Sequence, residues 1–196
     1  MKMRHPIRSI LMVFPLVLAG LIAAPADASI FTYTAAMNGS NEVPPNGSPA
    51  LGFATITLDD LLHTLTVDES FSGLVGNATA AHIHCCTPVG ANVGVAVGFP
   101  GFPAATSGTY LHTFDLTDSA IYTASFRTNF GGGTTAGAEA ALIAGLNNGT
   151  AYVNIHNAIY PGGEIRGQIA AVPEPATLTL LGLGLAGVAV RRRRRS

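Results

Sequence analysis

Apolar and polar side chains alternate along several short stretches of this chain. Leu65 and Val67 alternate with Thr64 and Thr66, which is the period of a strand with one buried face. Turn residues separate stretches of similar composition, and the predicted strands are residues 31–37, 53–58, 62–67, 109–116, 122–126, 151–157 and 164–170. Short strands at this regular spacing are typical of a sandwich or a barrel, and we expect an all-β domain with the architecture of an antiparallel β-sandwich.

Residues 135–146 break this pattern. They are rich in alanine, the residue with the highest helix propensity, and include Ala141, Leu142 and Ala144. One short helix is therefore predicted within the β-rich domain.

Two stretches carry histidines on a predicted polar face. His82 and His84 flank Ile83, so both imidazoles point away from the face that buries Ile83. In residues 152–156 the aliphatic side chains suit the core, which turns Tyr152, Asn154 and His156 to the opposite face. Neighbouring strands lie about 4.8 Å apart, so three imidazoles converge on one ion if these two strands pair. The pattern predicts a copper or zinc site, and structural hydrogen bonding by the same histidines is the alternative.

The sequence offers His112 or Cys85 as a further ligand. Cys85 is followed directly by Cys86. In an oxidising compartment a disulfide between them is the expected state, although adjacent Cα atoms, about 3.8 Å apart, are closer than in most disulfides. Two alternatives stay open, namely a thiolate that joins the histidines and a cross-link to another chain.

Both ends of the chain predict export. Residues 1–28 combine a basic start, an apolar stretch and a small-x-small pattern, as in a cleaved signal peptide. Near the other end, an apolar run over residues 176–190 precedes the arginines of residues 191–195. Such a run halts in a bilayer as a transmembrane helix with its charged end in the cytoplasm. The mature domain is then residues 29–171.

Residues 172–196 resemble the PEP-CTERM sorting signal, with Pro173-Glu174-Pro175 as its motif. The resemblance implies a bacterial envelope protein that is held in the inner membrane by its C-terminal helix. It also implies recognition by an exosortase-type processing enzyme and cleavage near the motif.

The charge of the predicted mature domain restricts its partners. Between residues 29 and 171 nine acidic side chains stand against two basic ones, Arg127 and Arg166. Nucleic acids and anionic lipids require a basic surface, so they are excluded as partners of this part, whereas cations are not. Glu164 and Arg166 share a face of the last strand, which predicts a structural ion pair or carboxylate clamp.

Three motifs resemble those of the CHRD domain, the chordin-type repeat: residues 41–45, residues 81–84, and residues 152–156 together with 161–168. The resemblance spans about residues 31–169 and implies the fold and the extracellular compartment rather than a chemistry. A weaker similarity links the His-x-His strand and the later histidine to copper–zinc superoxide dismutase, a Greek-key sandwich of the immunoglobulin-like class. It implies copper on the outer face of the sheet, although the dismutase's metal-loaded loop and fourth ligand have no counterpart here.

No catalytic motif accompanies these residues. Residues 131–133 lack the Lys-Ser/Thr of a phosphate loop, and a Gly-x-Ser-x-Gly elbow is missing. The sequence therefore predicts an exported, non-catalytic envelope module that binds an exopolysaccharide or an envelope protein, with the histidine metal site within it. A copper or zinc protein, or a weak redox enzyme of the superoxide-dismutase type, is the alternative.

Deleting residues 191–195 is expected to weaken membrane retention of the precursor, because the charge block fixes the stop and orientation of a short apolar run. Membrane fractionation of cells that express either chain measures the effect. Replacing the same arginines with lysines keeps the charge and serves as the matched control. A truncated protein that fractionates like the full chain would contradict the sorting interpretation.

Overall fold

The computed structural model of the protein describes residues 29–173. The predicted signal peptide, residues 1–28, and the predicted transmembrane helix, residues 176–190, lie outside this range. Within the described range, no helix has the length and apolar character needed to cross a membrane.

The described residues form one antiparallel sheet. Its strands are β1 Ile30–Asn38, β2 Leu51–Asp59, β3 Thr64–Ser72, β4 Ala78–Cys85, β5 Val95–Gly98, β6 Gly108–Asp115, β7 Ala151–Asn157, β8 Ile165–Gln168 and β9 Ala170–Ala171. The strand order is β5-β4-β7-β8-β1-β2-β3-β6, and β9 also pairs with β1. The all-β prediction is confirmed at this level.

The sheet is continuous rather than divided into the two separate sheets expected of a sandwich. β1 pairs with β2 along its length, and it also meets β8 where Asn38 lies opposite Arg166. This contact, together with the pairing of β9 with β1, joins the two four-stranded halves of a curled sheet. Ile56 from one half and Ile83 and Ile155 from the other belong to the same buried cluster, so the curl encloses a single core.

Two short α-helices, α1 Ala124–Asn129 and α2 Thr135–Asn147, accompany the sheet, together with single 3-10 turns at Gly39–Asn41 and Ser119–Ile121. The helix predicted over residues 135–146 corresponds to α2. The strand predicted over residues 122–126 is wrong, because α1 begins within it. The Thr123 side chain accepts a hydrogen bond from the Phe126 backbone N–H and caps this helix.

Glu164 clamps loops to the end of the sheet. Its Oε1 accepts hydrogen bonds from Ser48 Oγ at 2.6 Å and from the Val75 backbone N–H at 2.8 Å, and Oε2 accepts one from the Asn157 side chain. The carboxylate is fully buried. Of the two predicted roles, the structure therefore gives the carboxylate clamp and not an ion pair with Arg166.

Glu69 is an exception to the alternation of β3. It points inward with Leu65 and Val67, is fully buried, and neither carboxyl oxygen has a hydrogen-bond partner among the described residues. Its neighbours in register are Ala54 and Tyr110. Burial raises the pKa of Glu69 to about 8, so the folded protein holds this carboxyl protonated near neutral pH.

Stability is expected to fall as the pH rises from about 4.5 to about 8, because the folded state holds the Glu69 proton over this interval and the unfolded state releases it. A shift of this size corresponds to a loss on the order of 5 kcal/mol. Urea unfolding on both sides of the interval should show the loss in the natural protein and a much smaller one in Glu69→Gln. Asp68→Asn removes a charge from the exposed face of the same strand and is the control. Equal pH dependence in Glu69→Gln and the natural protein would contradict the assignment.

Candidate metal centre

The pairing of β4 with β7 brings three histidines together. In this antiparallel register His82 lies opposite Asn154, and His156 lies opposite Ala80. One ring nitrogen each from His82, His84 and His156 lies within 4.8 Å of the other two. The ring centroids of His82 and His156 are 5.0 Å apart. The two strands therefore pair, and the three imidazoles converge as expected for that case.

These imidazoles lie on the outer face of the sheet, opposite the core. Ile83 and Ile155 are fully buried in the main hydrophobic cluster, as the alternation along β4 and β7 predicts. His84 is nevertheless only 7% exposed. The outer face is covered because two loops, residues 39–47 and 86–94, fold over it.

Asn92 joins the two covering loops, and Arg166 holds Asn92 in place. The guanidinium of Arg166 donates to Asn92 Oδ1 at 3.0 Å and to the Ala91 carbonyl at 2.9 Å. Asn92 Nδ2 in turn donates to the Val43 carbonyl at 2.7 Å. The guanidinium carbon also lies 3.3 Å from the centroid of the Tyr152 ring. One of the two cations of the domain therefore has a local role, holding a lid of loops over the histidines.

Backbone carbonyls orient two of the three rings. His84 Nδ1 donates to the Val93 carbonyl at 2.8 Å, and His156 Nδ1 donates to the Pro161 carbonyl at 3.0 Å. A carbonyl oxygen only accepts, so each Nδ1 carries the hydrogen and each Nε2 presents a lone pair in the neutral ring. Histidines that bind metals are usually held by this pattern.

The electrostatics of the site favour neutral rings. Burial lowers the pKa of His82 to about 4, with further lowering from His156 and His84. Burial also lowers the pKa of His84 and of His156, against the opposing effect of their hydrogen bonds to the carbonyls. The Nδ1 atom of His82 is buried and has no hydrogen-bond partner among the described residues. Neutral imidazole is the form that binds metal ions.

Asn154 lies at the centre of the cluster. Its Oδ1 is 3.1 Å from His84 Nε2 and 3.0 Å from His156 Nε2. Its Nδ2 and Glu42 Oε1, from a buried residue of the first covering loop, both lie beside the Cβ position of Gly163. Burial raises the pKa of Glu42, and the charge of Arg166 opposes that rise.

The two further ligands offered by the sequence lie elsewhere. Cys85 is bonded to Cys86 and is fully buried on the core face of β4, where its Sγ lies 3.7 Å from the Ala141 carbonyl of α2. Since neighbouring residues of a strand alternate in direction, Cys85 points away from His84. His112, on β6, does not belong to the histidine cluster, although it shares the lining of a cavity of about 680 Å³ with His82.

Comparison with known families matches nearly all of the described residues to one family. The CHRD domain family matches residues 33–169, and the PEP-CTERM protein-sorting motif matches residues 171–195. The chain belongs to the CHRD domain family. Searches of curated proteins and of solved structures found no match. The PEP-CTERM motif marks the protein for export, membrane anchoring and processing by an exosortase.

The stretches on which the CHRD resemblance rested meet at the histidine cluster. Residues 41–45 supply Glu42, residues 81–84 supply two of the imidazoles, and residues 152–156 supply the third. Gly163, from the closing stretch, has φ of +128°, and a Cβ there would collide with Glu42 Oε1. In this CHRD domain the motifs therefore build one polar cluster on the sheet.

Sequence reasoning placed Asn154 on the histidine face but gave it no role, and it missed Glu42 and the covering function of Arg166. One signal was available for Asn154, because it lies two residues before His156 on the same face of a strand. Glu42 was marked only by being a charged residue within a motif. Its contact with Asn154 depends on a loop path that no local pattern specifies.

Proposed function

We propose that this exported CHRD domain binds a copper or zinc ion through His82, His84 and His156. The observation that carries the proposal is the convergence of three ring nitrogens within 4.8 Å on a covered face of the sheet. Imidazole is a preferred ligand of both metals. The acidic charge of the domain also favours a cation over an anionic partner.

The rings need little rearrangement to bind an ion. Nitrogens that share one tetrahedral ion lie roughly 3.3 Å apart, for metal–nitrogen distances of about 2.0–2.1 Å. The nitrogens lie within 4.8 Å of one another, so small rotations of the rings bring them to this spacing. Carbonyl partners already fix the Nδ1–H form of His84 and His156. This pre-orientation reduces the conformational cost of binding.

The proposed setting is the cell envelope. The sorting motif supports export and exosortase processing, and we propose that the processed domain is displayed outside the cell. There it acts as a non-catalytic module that binds an exopolysaccharide or an envelope protein, and the metal stabilises its outer face. The vicinal Cys85–Cys86 disulfide is consistent with an oxidising compartment.

A weak redox enzyme is the second candidate. It is favoured by the cavity of about 680 Å³ at His82, whose lining includes Phe99 and Phe102, because a small molecule that enters it reaches a ligand of the proposed ion. This candidate includes the proposal that the fold is a Greek-key fold of the superoxide-dismutase type. It requires an open coordination position on the metal.

Removing two of the imidazoles is expected to abolish copper and zinc binding. Full-length protein, purified in detergent, should bind one ion per chain in calorimetry, whereas a His82→Ala, His156→Ala double variant should bind none with comparable affinity. His63→Ala is the matched control, since His63 lies outside the cluster and its Nδ1 pairs with Glu139 Oε1 at 2.6 Å. His112→Ala tests the alternative ligand and should also bind normally. Equal stoichiometry in the double variant and the natural protein would eliminate the site.

Copper binding is expected to persist below the pH at which ordinary imidazoles lose it. Free imidazole protonates with a pKa of about 6.5, and protons then displace the metal. Burial lowers the pKa of all three rings, that of His82 to about 4, so protons compete only at lower pH. Calorimetric titrations between about pH 4 and pH 6.5 should show that the copper affinity of the protein falls at a lower pH than that of a synthetic peptide of residues 79–87. Coincident pH profiles would contradict the role of burial.

A further inference from the structure

We infer that Asn154 Oδ1 is the fourth ligand of this site, held in place by Glu42, and that it closes the site around a divalent copper or zinc ion. The inference rests on the proposed function and deepens it. It assigns the metal to a binding role, because a closed set of protein ligands leaves no position for a substrate.

The distances around Asn154 fit atoms that share one ion. Two ligand atoms at about 2.0–2.2 Å from one metal lie roughly 2.9–3.5 Å apart in square-planar or tetrahedral geometry. Asn154 Oδ1 lies 3.1 Å from His84 Nε2 and 3.0 Å from His156 Nε2. The amide oxygen and the two nitrogens are therefore already at the spacing of neighbouring ligands.

With Oδ1 turned toward the rings, the polarity of these contacts also favours a cation. His84 and His156 each use Nδ1–H on a carbonyl, so each neutral ring presents only a lone pair at Nε2. Asn154 Oδ1 is an acceptor as well. Three acceptors thus face one another without a hydrogen between them. A second proton on each ring would place two cations side by side in a buried site, whereas one metal ion satisfies all three atoms.

Glu42 sets the direction of the Asn154 amide. The amide nitrogen of Asn154 lies on the side of the Glu42 carboxylate and Oδ1 lies on the side of the imidazoles. A carboxylate oxygen attracts the amide N–H rather than the amide oxygen, which favours this orientation. Asn154 Nδ2 and Glu42 Oε1 both lie against Gly163, at the place where any other residue would carry its Cβ. Glu42 is only 5% exposed, and so its carboxylate is confined beside Asn154. Glu42 is therefore a positioning residue.

The proposed ligand atoms favour one oxidation state of the metal. Three imidazole nitrogens and an amide oxygen suit Cu²⁺ and Zn²⁺, whereas Cu⁺ prefers thiolate and thioether sulfur. The cysteines next to His84 supply no thiolate, since they are bonded to each other and Cys85 lies on the core face. The set accordingly favours the divalent ions.

Cobalt provides the test, because the visible absorption of Co²⁺ reports its coordination number. Full-length protein in detergent, loaded with Co²⁺, should show an intense four-coordinate spectrum that excess azide leaves unchanged. Asn154→Ala should bind Co²⁺ at least about tenfold more weakly. Its spectrum should shift with azide, which enters the vacated position. Asn154→Asp keeps an oxygen ligand and should retain both the affinity and the indifference to azide.

Glu42→Ala tests the positioning role and should weaken Co²⁺ binding while the metal-free circular dichroism spectrum stays unchanged. His63→Ala is the control and should behave as the natural protein. If azide shifts the spectrum of the natural protein as it does that of Asn154→Ala, the fourth position is open and the inference is overturned, although the three-histidine site stands. If the natural protein binds none of Co²⁺, Zn²⁺ and Cu²⁺, the proposed function fails as well.

Discussion

The register between β4 and β7 is the constraint on which the site depends. Side chains alternate along a strand, so a slip of β4 by one residue would turn His82 and His84 into the core, away from His156 on β7, and would expose Ile83. The core prevents this slip, because Ile83 and Ile155 are fully buried in it. Apolar burial on one face of the sheet thus fixes the polar geometry on the other.

The outer face of the half of the sheet that contains β4 and β7 is unusual, because it is buried without being part of the main core. Tyr152 and Asn154 are each 2% exposed, yet neither belongs to the main hydrophobic cluster. Two loops, tied together by Arg166 and Asn92, exclude water from this second, polar interior. Burying polar groups is costly unless each finds a partner. Two buried atoms of this interior, His82 Nδ1 and Glu42 Oε1, have no hydrogen-bond partner among the described residues, which is compatible with a ligand site.

Other buried polar groups of the domain serve the fold rather than a ligand. Glu164 satisfies three donors from separate segments and links the loops to the end of the sheet. The disulfide between Cys85 and Cys86 lies where β4 ends against α2, beside the Ala141 carbonyl. Since a thiol there faces the core, the chemistry of the cysteines and that of the histidines are separated by the thickness of the sheet.

Local sequence pattern determined most of the strands, the position of α2, and which face of β4 and β7 carries the histidines, but it did not predict β5. These follow from periodicity and propensity, which depend only on near neighbours along the chain. The sorting motif was equally readable, since the order of its parts is its signal. Residues 122–126 were misread because the Thr123 cap outweighed the strand propensity of the segment.

Only the tertiary structure decided that β4 pairs with β7, that one sheet curls around a single core, and that Asn154 lies between two imidazoles. These features join residues far apart in sequence, and pairing between distant strands depends on the packing of the complete core. The same holds for Glu42, which a loop delivers to the site more than a hundred residues before Asn154 in the chain. The sequence therefore determined the candidate ligands, while the fold decided which of them meet.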